Sequence, residues 1–90
     1  MEFEWDEAKD AANLKKHDLS FEAATRAFND PFTRDEEDFG SEGEQRFNRI
    51  GMAADRLVVV TYTFRGEICR IISARRATPH VRRCSHETEN

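Results

Sequence analysis

No apolar run in this 90-residue sequence approaches the roughly 20 residues that a membrane helix requires, which excludes an α-helical membrane span. Cysteine is nearly absent. Cys69 and Cys84 are the whole supply, and Cys69 falls inside a strand-like run, so a disulfide framework is excluded and free thiols are expected. His80, Cys84 and His86 offer three zinc ligands at most and no second cluster, so neither a metal nor a cofactor is expected. The two prolines, Pro31 and Pro79, act as element stops, and no repeat or low-complexity segment interrupts the chain. The start, MEFEWDEAKD, lacks the basic and then apolar order of a secretory signal, so the cytoplasm is the expected compartment.

Lysine is missing from the second half, and that absence exposes an asymmetry in charge. From Met1 to Gln45, five basic residues face fourteen acidic ones, a balance of −9. From Arg46 to Asn90, nine arginines face four acids, a balance of +5. Arginine is the cation suited to bidentate contacts with phosphate or carboxylate, so the basic half speaks of an anionic partner. The guanidinium groups crowd around one stretch, RIISARRATPH, where Arg70 precedes and Arg75 and Arg76 follow an apolar strand-like run.

One domain, residues 1–90, is expected, because a chain of this length has room for a single core. A short strand over Glu2–Trp5 leads to Asp6, a helix cap, and the helix should run to about His17. Ser20 caps a second helix with an apolar stripe of Phe21, Ala24, Ala27 and Phe28, which Asn29-Asp30-Pro31 closes. Residues 32–45, including DEEDFGSEGE, read as an exposed loop. Strands follow over Arg46–Met52, Arg56–Phe64 and Glu67–Ala74, the last two joined by a turn at Arg65-Gly66. RLVVVTYTF is apolar enough to be a central strand covered on both faces. A short helix after Pro79 completes an α+β domain with two N-terminal helices packed on an antiparallel sheet.

Several converging guanidinium groups can stabilise a phosphorane. Preorganised donors of that kind each contribute about 10² to 10³ in rate, which suits metal-free cleavage of RNA. Proton transfer would then fall to His17, His80 or Tyr62. Each residue also has a plainer use: Arg70 within a strand can serve the sheet, His17 beside Lys15 and Lys16 can complement a helix dipole, and Tyr62 and Trp5 can fill the core.

The sequence resembles the BrnT family. The resemblance rests on Phe3-x-Trp5-Asp6-x-x-Lys9-x-x-x-Asn13-x-x-Lys16-His17, Ser20-Phe21-x-x-Ala24, Asp30-Pro31, Glu44-x-Arg46, Gly51, Tyr62-Thr63-x-Arg65 and Arg70-Ile71-Ile72-Ser73-Ala74-Arg75-Arg76-Ala77. It implies a RelE-like fold and a type II toxin that cleaves RNA and arrests translation. It also implies neutralisation by a BrnA-like antitoxin of ribbon-helix-helix type, in a complex of two toxins and two antitoxins, with operator DNA reached only through the antitoxin. On this basis Arg65, Arg75 and Arg76 are the expected catalytic arginines, and Arg46, Arg70 and Arg82 the expected substrate contacts. The chain departs from the family after this block, where Pro79-His80-Val81-Arg82-Arg83-Cys84-Ser85-His86 carries neither the usual glutamate nor the usual tyrosine. His80, more than His86, is the expected substitute proton donor. The competing expectation is a catalytically weak or inactive binding module that acts through its antitoxin on operator occupancy.

Overall fold

A computed structural model describes residues 1–38, 45–53 and 55–77. Five strands form one sheet in the order β1-β5-β4-β3-β2, with β1 at Glu2–Glu4, β2 at Arg34–Asp38, β3 at Arg46–Ala53, β4 at Arg56–Arg65 and β5 at Ile68–Arg76. Helix α1 spans Glu7–His17 and α2 spans Phe21–Ala24. The chain is therefore α+β, as the element order implied.

The sheet is mixed rather than antiparallel. β1 runs parallel to β5, with Phe3 opposite Cys69 and Glu4 opposite Arg70, while the other three pairings are antiparallel. The difference arises because β1 finds its partner more than sixty residues along the chain, and nothing local in Glu2–Glu4 specifies which edge it joins. Once there, the Arg70 guanidinium pairs with the Glu4 carboxylate and fastens β1 to β5.

α1 begins where Asp6 accepts hydrogen bonds from the N–H groups of Ala8 (2.8 Å) and Lys9 (3.3 Å). Glu7 and Asp10 occupy its first turn and Lys15, Lys16 and His17 its last, so side-chain charge complements the helix dipole at both ends. Asp18 ends it in a left-handed conformation (φ 54°), its N–H donating to the Leu14 carbonyl at 2.8 Å. The second helix is shorter than its stripe implied. Ser20 caps it at the Ala23 N–H, but after Ala24 the chain tightens into a 3₁₀ helix over Thr25–Asn29.

The loop expected over residues 32–45 is in part a strand, β2, whose Arg34–Asp38 segment pairs with β3. Its charges hide the alternation of a half-buried strand, because an edge strand exposes most of what it carries. The helix expected after Pro79 falls outside the described residues.

The helices cover one face of the sheet. Phe21, Ala24 and Ala27 pack there against Val58, Val60, Tyr62, Cys69, Ile71 and Ala74, all buried. At about 25 cal/mol per Å² of apolar surface removed from water, this layer is the main stabilising term. Trp5 meets Phe21 edge-on with ring centroids 6.2 Å apart, so it belongs to the core as its plainer reading held. β4 is the central strand, and Val59 with Ile50, Ala77 and Leu57 forms a smaller cluster apart from the main core. Gly51 is a glycine for want of space: a Cβ there would stand 2.6 Å from Thr33 Cγ2 and 3.3 Å from the Ala27 carbonyl. That close approach lets the Met52 N–H donate to Asp30 Oδ2 at 2.7 Å.

Candidate functional site

The last turn of α1 and the end of β5 meet in a groove lined by Lys15, Lys16, His17, Asp18, Arg75 and Arg76, with a volume of about 570 Å³. Four cations share this lining with a single carboxylate. Successive strand residues point to opposite faces, so Arg75 and Arg76 bracket the strand edge instead of lying side by side. Both are exposed.

The groove is held from beneath by one buried amide. Asn13 Oδ1 accepts from the Ala74 N–H at 3.3 Å while its Nδ2 donates to the Leu19 carbonyl at 2.8 Å, which locks α1 against β5 one residue before Arg75. Asp18 then gathers the rim. Its carboxylate lies 3.3 Å from Arg76 and 3.6 Å from Arg56, and its carbonyl accepts from Arg56 at 2.9 Å. Arg76 is thereby aimed by one exposed contact that leaves much of its fork open to another anion.

Arg65 is elsewhere. It lies six positions along β4 from Val59, the register partner of Arg75, which is about 20 Å at the usual strand rise. One phosphate cannot touch both. Arg65 opens instead on a second cavity of about 560 Å³, whose lining it shares with two acidic residues, Glu2 and Glu67. Arg70 is paired with Glu4, so its sheet-binding role is realised. Arg46, half-buried, stands in register with Asp38 of β2. His80 and Arg82 lie outside the described residues.

Tyr62, a candidate for proton transfer, is buried in an aromatic cluster with Phe28 and Phe47 at 4.9 and 5.4 Å between ring centroids. Burial, and then the charge of Asp35, push its pKa up to about 12, which unsuits it for proton transfer near neutral pH. Its hydroxyl donates to Asp35 at 3.1 Å, and Arg49 grips the same carboxylate through two bonds of 2.8 and 2.9 Å. The Arg49 guanidinium also lies 4.5 Å from the centre of the Phe28 ring. Sequence reasoning passed over Arg49, although Asp35 and Arg49 would have been visible as cross-strand partners had β2 been recognised. Cys69 is a free thiol that burial pushes up to about 11, an inert core group. Among the described residues no three His, Cys, Asp or Glu side chains converge as metal ligands, and no helix is long and apolar enough to cross a membrane.

With a basic groove fixed by Asn13, comparison with known families becomes decisive. A family model described as the ribonuclease toxin, BrnT, of type II toxin-antitoxin systems matches residues 5–80. This chain belongs to the BrnT toxin family. Membership of a type II family implies an antitoxin as partner. The BrnT motif residues now have physical uses: Asp6 and Ser20 cap helices, Asn13 joins α1 to β5, and Gly51 admits Thr33. Comparison with curated proteins found no match.

Proposed function

We propose that this BrnT chain is a cytoplasmic, metal-independent endoribonuclease that arrests translation, a single RelE-like domain held in check by a BrnA-like antitoxin. The antitoxin is of ribbon-helix-helix type, two toxins bind two antitoxins, and operator DNA is reached only through the antitoxin. The observation that carries the reading is the groove at the end of β5, whose lining holds Lys15, Lys16, Arg75 and Arg76 with a single carboxylate. Such a site attracts a polyanion and can stabilise the extra negative charge of a phosphorane without a metal ion.

Arg75 and Arg76 hold the scissile phosphate in this scheme. Arg65, some 20 Å away along the hairpin, holds RNA beyond the cut. Arg46, Arg70 and Arg82 are further backbone contacts, with Arg70 having first to share itself with Glu4. A histidine supplies the proton, and by chain order alone that is His80, which lies outside the described residues.

Expression of the protein alone in a bacterial cell tests the reading. Growth should stop, resume on co-expression of the antitoxin, and continue undisturbed when Arg75→Ala or Arg76→Ala is induced at the same folded level. Undisturbed growth with the wild-type protein, together with tight antitoxin binding, would instead identify a binding module that acts on operator occupancy.

A further inference from the structure

We propose that His17 is the proton donor of RNA cleavage, with Lys15 and Lys16 holding the adjoining phosphates; the inference rests on the ribonuclease reading of the same groove. His17 is the last residue of α1, half-buried, and lines the groove with Arg75 and Arg76. Two devices fix its position. Behind it, Asn13 ties the helix to Ala74 and Leu19, and ahead of it Asp18 is held by its own N–H to Leu14 and by Arg56 and Arg76. The backbone on either side of His17 is therefore pinned to the strand that carries the phosphate-holding arginines. Preorganisation of this kind is what proton transfer to a departing oxygen demands.

Complementing the helix dipole is the plainer use of a basic residue here, and Lys15 and Lys16 already serve it. The charged groups facing His17 are Lys15, Lys16 and Asp18 around it, Arg75 and Arg76 from β5, and Arg56 of β4 through Asp18. His17 is the one imidazole in that lining, and imidazole is the side chain most often used as a general acid and base. The reaction balances without an added reagent. The 2′-oxygen attacks phosphorus and its proton passes to water, the bond from phosphorus to the 5′-oxygen breaks, and the His17 imidazolium protonates that oxygen. The products are a 2′,3′-cyclic phosphate and a 5′-hydroxyl, and His17 regains its proton from water.

The test uses an RNA in which sulfur replaces the 5′-bridging oxygen at the linkage the wild-type protein cuts, because a thiolate departs without being protonated. On ordinary RNA, His17→Ala and His17→Gln should lose about 10² to 10⁴ in rate, the usual worth of a positioned acid. On the sulfur-bridged RNA most of that loss should vanish, whereas Arg75→Ala should stay impaired on both. Equal losses for the His17 variants on the two substrates would mean a structural role and overturn the proposal. So would unimpaired His17 variants beside a His80→Ala protein that sulfur rescues; the ribonuclease reading would survive either result. Failure of the wild-type protein to cut RNA at all would overturn both.

Discussion

Arg49 on β3 and Arg76 on β5 flank the central strand of one sheet and each meets an aspartate, yet their surroundings differ in kind. Arg49 is clamped: its side chain is 18% exposed, its Nε and one Nη bond the two oxygens of Asp35, and the Phe28 ring lies beneath it. Hydrogen bonding to Asp35, opposed in part by desolvation, raises its pKa further above the ordinary arginine value. Arg76 is 53% exposed and holds Asp18 by one arm at 3.3 Å. A guanidinium gripped side-on by a carboxylate, stacked on a ring and largely buried is committed to the fold; one held by a single exposed contact is aimed but available. Residue type alone does not separate a structural arginine from a functional one. Partner geometry does.

The sharpest way to break this comparison is to remove each side in turn. Arg76→Ala should lower RNA cleavage by about 10² to 10³, as loss of one transition-state donor does, while urea unfolding stays within about 0.5 kcal/mol of wild type. Asp35→Ala should do the reverse. It strands Arg49 and the Tyr62 hydroxyl, so stability should fall by about 1.5 to 3 kcal/mol, with cleavage per folded molecule unchanged. Exchange of these outcomes between the two variants would invert the assignment.

Asn13→Ala belongs between the two regions, since it leaves the Ala74 N–H and the Leu19 carbonyl without their partner. A loss of about 1 to 3 kcal/mol is expected by urea unfolding, accompanied by slower cleavage because the groove loses its support. A stability loss with cleavage intact would show that α1 is not needed in place for the chemistry.

The smallest effect concerns pH. Tyr62 and Cys69 have folded pKa values pushed up to about 12 and about 11, so the folded state keeps protons that the unfolded chain releases earlier. Their stabilising contribution is whole below the ordinary thiol and phenol ranges and is lost as pH rises through the folded values. Stability should therefore fall above about pH 9, and Tyr62→Phe should flatten the upper part of that fall. An unchanged slope in the variant would place the alkaline loss elsewhere.

Much of this was legible in the sequence where the signal is local. Asp6, the helical spacing and the basic last turn marked α1, and the β-branched run of RLVVVTYTF marked the central strand. The caps at Asp6 and Ser20 work through hydrogen bonds spanning two or three residues, which is why a short window suffices to find them. Features resting on distant partners were not legible. β1 is parallel because it meets β5, β2 is a strand because Asp35 meets Arg49, and neither segment contains its partner. The site divided along the same line. Adjacent Arg75 and Arg76 were conspicuous, but the groove needs Lys15, Lys16 and His17 from the far end of the chain, joined by Asn13, which local pattern marks only as a polar residue on a helix. Arg65 looked close to Arg75 in sequence, and the hairpin carries it to the opposite end.

The account stands or falls on the groove at the end of β5 acting on RNA without a metal. Cleavage of a defined RNA by purified protein in excess chelator, wild type against Arg75→Ala at matched folded fraction, measures that most directly. The wild-type protein should cut in chelator and Arg75→Ala should be slower by about 10² to 10³. Equal rates, or wild-type cleavage that stops in chelator and returns with a divalent ion, would contradict it.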